Sequence, residues 1–345
     1  MSTDTSPATD QVRFDRRGAL GVVVLDRPKA INSLTPEMVR AMRTQLQAWR
    51  DDDAVRVVAI TGEGEKGLCA GADVVSVRRA LVDGDEAGAM AFFAEEYDLD
   101  RLIGDYPKPV VAFMDGVTMG GGIGIAGHAS LRIATERTKV AMPETKIGFF
   151  CDVGGLYLLA RTPGEFGTHL ALTSDVASGA DAVLLGVADV LVDSGSLEEI
   201  LRGLETGDVP TPAGIGSTDH PAPLEKDRAW IDACYTGDDP VAIVERLRAY
   251  RGEREEQAHE AARAIEARSP FAVCVTLEAL RRAGRLDSLD AVLDQDLVLA
   301  RAFCTEPDFR EGVRALLVDK DNEPSWRHPS IADVPRGEVT AAFDA

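Results

Sequence analysis

The stretch Val110–Asp152, VVAFMDGVTMGGGIGIAGHASLRIATERTKVAMPETKIGFFCD, decides how this chain is read. It opens behind Pro109 on an apolar run of the length of one buried strand. Asp115-Gly116 then turns the chain into Met119-Gly120-Gly121-Gly122, and from Ile123 small and apolar residues alternate as a packed helix requires. Three glycines at a strand-to-helix turn let the backbone approach a ligand with no Cβ in the way. The helix start adds unpaired N–H groups and the positive end of the macrodipole, so the turn can hold an anion or a developing oxyanion. Further on, Pro143-Glu144-Thr145 and Asp152-Val153-Gly154-Gly155 supply two carboxylates in loop-like sequence. An amide cradle beside a carboxylate pair is equipment for acyl chemistry.

Upstream, Gly21–Asp26 reads as a β-branched strand that ends at Arg27-Pro28-Lys29. Thr35-Pro36-Glu37 starts a helix, with a capping hydroxyl, proline at the first position and an acid in the first turn. Met38, Met42, Leu46 and Trp49 recur on one face of it. Val55–Thr61 is a second strand, followed by a glycine-rich loop to Asp73, and Glu86–Leu102 reads as a helix. Leu131–Ala134 and Asp189–Val192 are further short strands. Strands alternating with helices predict an α/β core. Beyond it the reading is helical: 241–268, then a helix restarted by Ser269-Pro270 and ended by Gly284, then 289–304 and 308–318. The domain reading is a disordered tail over 1–11, an α/β core carrying the site over 12–203, a Pro/Gly/Thr-rich linker or surface loop over 204–225, and a helical region over 226–345. That last region is expected to cover the site.

With 345 residues the chain can bury a sizeable core. A formal charge of −21 argues against nucleic acid or an anionic membrane as partner, but leaves room for a small polyanion on a local basic patch. Five scattered cysteines with no CxxC pair fit a reducing compartment. The polar start MSTDTSPATDQ does not read as a signal peptide, and no apolar run is long enough to span a bilayer. A cytoplasmic protein is therefore expected.

Gly122-Ile123-Gly124-Ile125-Ala126-Gly127 matches the dinucleotide fingerprint GxGxxG, with Glu144 near the spacing of the ribose-binding acid. The context argues against it. In that fingerprint the first glycine follows its strand almost directly, whereas Asp115 to Gly121 intervene here, and Glu144 follows a proline instead of ending a strand. The loop Cys69-Ala70-Gly71-Ala72-Asp73 follows the Val55 strand, and two such loops could each lend one N–H to a shared oxyanion hole.

DGVTMGGGIGI, preceded by CAGADV and followed by AMPETKIGFFCDVGG, resembles the enoyl-CoA hydratase/isomerase (crotonase) superfamily, and more closely its 3-hydroxyisobutyryl-CoA hydrolase branch. FFAEEY, LALTS, SPFAVCVTLEAL and DFREGVRALLVDKDNEPSW extend the likeness over most of residues 12–330. The resemblance implies a crotonase-type ββα spiral with a helical C-terminal region, and an acyl-CoA thioester as substrate. It implies backbone N–H groups of Ala72 and Gly121 as oxyanion hole, and Glu144 and Asp152 as catalytic acids. Glu96, Gly121, Glu144 and Asp152 would bind the acyl part, and Arg27, Lys29 and Ala30 would lie along the CoA. It implies no cofactor beyond the CoA of the substrate, no metal, and a homo-oligomer, trimeric or hexameric, as a possibility. A hydratase of this superfamily carries a second glutamate where this chain has Gly124, and Cys151 stands where the hydrolase branch commonly has proline. The main reading is hydrolysis of a short 3-hydroxyacyl-CoA, 3-hydroxyisobutyryl-CoA from valine breakdown above all. The rivals are an enoyl-CoA hydratase/isomerase and a non-catalytic acyl-CoA-binding protein. Cys151 has no sequence-near histidine to activate it, and His128 reads as structural.

Overall fold

The computed structural model describes residues 9–217 and 220–345. A six-stranded sheet runs in the order β1 (Val12–Arg17), β2 (Leu20–Leu25), β3 (Val57–Gly62), β4 (Val110–Met114), β6 (Leu131–Thr135) and β9 (Val190–Val192). Only β1 is antiparallel to its neighbour. β1 is an edge strand whose arginines and aspartate face outward, which is why its alternation was not legible as a strand beforehand. A second, three-stranded sheet joins β5 (Val117–Met119), β7 (Lys139–Ala141) and β8 (Ala177–Ser178). These strands have two or three residues each, too short to carry a period. Helices α1 (Pro36–Arg50), α2 (Val74–Val82), α3 (Glu86–Gly104) and α4 (Gly121–Gly127) connect the strands, so strand pairs alternate with helices as expected. The Thr35 hydroxyl accepts from Met38 N–H, closing the cap read from sequence.

One face of the main sheet, with Val23, Val58, Ile60, Ala112 and Met114, packs on the helices. The other, with Val22, Ala59, Val111, Phe113 and Ile133, is covered by Ile200, Leu201 and Leu204. The composition break at Leu204 therefore does not mark a tether between bodies. Leu204 is fully buried, the Glu205 carbonyl accepts from Ala19 N–H at 2.9 Å, and Ser217 pairs with Leu191. Residues 218 and 219 of that stretch, and 1–8 of the expected tail, lie outside the described residues. Gln11 of that tail accepts from Asp26 N–H at 2.8 Å.

From 228 onward every element among the described residues is helical, including Pro270–Ala283, Leu289–Thr305 and Pro307–Val313. This region packs directly on the turn that carries Glu144. Ser269 N–H donates to the Thr145 carbonyl at 3.2 Å, and the Ser269 hydroxyl donates to Asp308 Oδ2 at 2.6 Å. Gly312 abuts the backbone of Ile147, and Gly148 (φ 70°) abuts the Asp308 carbonyl, so a Cβ at either site would overlap main chain. Ile147 ends the short helix that Glu144 opens, so a shift there reaches the carboxyl. Gly312→Ala is accordingly expected to cost roughly 1–3 kcal/mol in thermal or urea unfolding and to lower activity more than unfolding accounts for.

Candidate active site

Three stretches far apart in sequence meet at a cavity of about 700 Å³. The first is the loop before α2. Leu34 N–H donates to the Gly71 carbonyl at 2.9 Å and Asp73 N–H to the Leu34 carbonyl at 2.8 Å. These bonds bracket Ala72 and leave its own N–H outside the ladder. The second is the turn into α4. Gly120 caps the helix at φ 51°, so Gly121 occupies its first position, where an N–H has no intrahelical acceptor. The two amides are neighbours: Ala72 N lies 3.2 Å from where a Cβ on Gly121 would sit, and Gly121 N lies 3.5 Å from the same position on Gly71. The third stretch follows β7 and carries Glu144 and Asp152.

Glu144 opens the short helix Glu144–Ile147 and is buried, with Oε1 2.8 Å from the Cβ position of Gly120 and Oε2 without a partner among the described residues. Glu96 comes from α3 with both oxygens unpartnered, Oε1 lying 2.5 Å from the Cβ position of Gly121. A side chain at 120 or 121 would thus displace one of these carboxyls. Asp152 Oδ2 accepts from the Tyr97 hydroxyl at 2.7 Å. Burial pushes Glu144 and Glu96 well above the usual carboxylate range, and the Asp152 charge adds to it. Burial raises Asp152 to about 7, opposed by the Tyr97 hydrogen bond. Ala72, Glu96, Gly121, Glu144 and Asp152 all line the one cavity.

Arg27 and Ala30 line its mouth, whereas Lys29 is exposed on the turn and is not part of the wall. The Arg27 guanidinium is held by Asp73 at 2.8 Å and by Ser33 at 3.1 Å. Lys146 and Lys320 also line the cavity, and so do Phe309 and Leu316 from the C-terminal helices, which thereby cover the site as expected. Sequence reading did not single out these lysines, because a lone lysine in a polar turn carries no periodic or motif signal. Cys151 is fully buried, its thiol directed at the Ala171 carbonyl 3.7 Å away and pushed up in pKa by burial, which is not the state of a nucleophile.

Two buried acids were also missed. Asp100, one turn beyond Glu96 on α3, has no partner for either oxygen among the described residues, and both lie 2.7 Å from the Cβ position of Gly124. The space beside α4 where a glutamate at position 124 would start is therefore filled by a carboxyl from another helix. Asp296, on helix Leu289–Thr305, reaches the Asp152 turn and accepts from Gly154 N–H at 2.9 Å. The i,i+4 spacing of Glu96 and Asp100 was a usable signal; for Asp296 there was none.

A family model for enoyl-CoA hydratase/isomerase matches residues 20–343. The 3-hydroxyisobutyryl-CoA hydrolase, mitochondrial, of Danio rerio is 36% identical, covering 99% of this chain and 91% of the relative. The human protein of the same name is 35% identical over 99% and 90%. Among solved structures, a carnitinyl-CoA dehydratase from Mycobacterium thermoresistibile superposes with TM-score 0.92 at 45% identity, covering 97% of this chain and 96% of the other. An enoyl-CoA hydratase from Rhodobacter sphaeroides does so with TM-score 0.92 at 35% identity, over 97% of each chain. The crotonase-type fold with its helical C-terminal region is thus found. The cytoplasmic expectation is overturned, since the curated relatives from zebrafish, slime mould, rat and human are all named as mitochondrial. Free thiols and net charge do not distinguish one reducing compartment from another. Alignment over nearly the whole chain, with the glycine cradle and its carboxyls in one cavity, has one conclusion: the chain belongs to the enoyl-CoA hydratase/isomerase family.

Proposed function

We propose that this protein hydrolyses the thioester of a short 3-hydroxyacyl-CoA, with 3-hydroxyisobutyryl-CoA as substrate and 3-hydroxyisobutyrate plus CoA as products, a step of valine breakdown. The observation that carries this reading is the placement of Glu144 Oε1 against Gly120, next to the paired amides of Ala72 and Gly121. The curated relatives named 3-hydroxyisobutyryl-CoA hydrolase support the choice of substrate.

The thioester oxygen accepts from the N–H groups of Ala72 and Gly121, which stabilise the charge that develops on it as the carbonyl carbon becomes tetrahedral. Glu144 supplies the oxygen nucleophile, by taking a proton from water or by its own attack followed by hydrolysis of the anhydride. The C–O bond forms, the C–S bond breaks, and the proton finishes on the CoA thiolate. A thiolate leaves readily, so one carboxylate at this carbon suffices. Asp152 and Glu96, buried and raised, hold the 3-hydroxyl. Arg27, Ala30, Lys146 and Lys320 at the mouth receive the polyanionic CoA, which gives an acidic protein its local contact. The neighbours titled as hydratase and dehydratase raise the rival reaction, but adding water across a double bond needs an acid and a base, and position 124 carries neither.

Thiol release over a panel of acyl-CoA esters tests the reading: 3-hydroxyisobutyryl-CoA is expected to be cleaved fastest, with no loss of absorbance from an unsaturated acyl-CoA. Glu144→Gln should lower kcat by on the order of 10²–10⁴. Intact wild-type substrate after incubation would sink the proposal. After a single turnover in ¹⁸O-labelled water, label in Glu144 would mark an anhydride hydrolysed at the glutamyl carbon, whereas general-base catalysis puts label in the product carboxyl alone.

Glu144 must be charged to act, so kcat/KM should rise with pH along a limb lying above the usual carboxylate range, as its burial requires. Stability should move the other way at Asp152. Its folded pKa of about 7 exceeds the ordinary 3.8, so the stability that it contributes is complete below 3.8 and lost as pH rises through 7. Asp152→Asn removes that loss, and is expected to be more stable than wild type at pH 8 by about 2–4 kcal/mol, unfolding at a higher temperature, with the difference closing towards pH 4. Equal melting at both pH values would contradict it.

A further inference from the structure

Asp152 is followed by a backbone conformation that its neighbours must enforce. Val153 sits at φ 53° and Gly154 at φ 66°, two successive left-handed residues. Glycine adopts this region freely, but a β-branched valine does so at a cost on the order of 1–3 kcal/mol and only where its surroundings over-determine it. The peptide group that joins the two residues is gripped at both ends. Its carbonyl, on Val153, lies 2.9 Å from His128 Nε2, and its N–H, on Gly154, donates to Asp296 Oδ2 at 2.9 Å.

The two grips come from two different elements. His128 ends α4, the helix whose first turn carries the Gly121 amide. Burial lowers this imidazole to about 4, so it is neutral, and because a carbonyl only accepts, Nε2 carries the hydrogen. Asp296 comes from the C-terminal helix Leu289–Thr305, is fully buried, and has its second oxygen unpartnered among the described residues. A Cβ on Gly154 would lie 2.5 Å from Leu289 Cδ1 and 2.7 Å from His128 Nε2, so the same two elements also close around the glycine. On the far side of the turn, Gly155 N–H donates to the Asp152 carbonyl at 2.7 Å.

We propose that His128 and Asp296 are positioning residues that clamp the Val153–Gly154 peptide, and thereby aim the Asp152 carboxyl at the substrate hydroxyl beside the Ala72–Gly121 amides. If the peptide is released it can turn over, Val153 relaxes to negative φ, and the carboxyl one residue upstream swings with it. The clamp also gives the C-terminal region a part in the chemistry. That region roofs the cavity and, through Asp296, orients a site acid that belongs to the α/β core.

The inference rests on the proposed hydrolysis only for its kinetic readout, so the test has a second, structural arm. Asp296→Asn keeps an acceptor for Gly154 N–H without the charge, whereas Asp296→Leu keeps the bulk without the acceptor. His128→Phe keeps a ring without the donor. Melting curves first establish that each variant is folded. Asp296→Leu and His128→Phe are then expected to lose kcat by on the order of 10²-fold, as a carboxyl misplaced by about 1 Å would, with KM moving less than about threefold. Asp296→Asn should stay within about threefold of wild type, and the double variant should lose no more than the worse single one, because both act on one peptide. In a crystal structure of Asp296→Leu, Val153 should have left the left-handed region, while in Asp296→Asn it should remain there. Folded Asp296→Leu with wild-type kcat, Val153 unmoved in its crystal, or an Asp296→Asn loss as large as that of Asp296→Leu would each overturn the clamp. Absence of any hydrolysis by wild type would instead count against the proposed reaction and leave the crystallographic arm to decide.

Discussion

The site depends on a steric condition: main chain must come within hydrogen-bonding reach of a ligand from two directions while carboxyls crowd in behind it. A Cβ at Gly120 would meet Glu144, one at Gly121 would meet Glu96, and one at Gly124 would meet Asp100. Three glycines of this turn are thus each matched to a particular acid, while Gly122 keeps clear of the Cys69 carbonyl. The glycines would be costly in an isolated helix, being about 1 kcal/mol worse than alanine apiece, and α4 is indeed short and buried on all sides. Packing between β4, α3 and the 144–155 turns offsets what the backbone loses.

Those acids bring a second constraint. Glu96, Asp100, Glu144, Asp152 and Asp296 are all buried, and burial raises every one of them. Close carboxyls of this kind cannot all ionise, so the cluster holds protons in common near neutrality, and apparent pKa values belong to the group more than to any one member. Glu96, which lines the cavity, has both oxygens unpartnered among the described residues, which suits the cavity to a ligand that brings hydrogen-bond donors. Function at this site is bought with stability, as buried charge generally is.

The C-terminal helices supply the packing that makes the arrangement tolerable. Phe149 packs edge-on against Phe303 and tilted against Phe309, at 5.2 and 4.8 Å between centroids, fixing the chain just after Glu144 against helices from beyond residue 289. With Gly312 against Ile147 and Asp296 on Gly154, the helical region is continuous with the site it covers. The composition break at 204 falls on irregular backbone, as proline and glycine signal, and the burial of a few side chains such as Leu204 ties that segment down.

By itself the sequence determined the strand-turn-helix at 110–127, the capped helix at Pro36, the loop at Ala72 and the acids at 144 and 152, because each is encoded by local chemistry: runs, caps, glycines, motifs. It also carried enough likeness to point to the family. It was silent on β1, a polar edge strand, and on β5, β7 and β8, whose two or three residues have no period of their own. Only the tertiary structure decided that Asp100 fills the space beside Gly124, that Lys146 and Lys320 line the cavity, and that Asp296, 142 residues from Gly154, holds its N–H. Such contacts arise from the packing of distant elements, and nothing in the order of residues within any one of them records the partner.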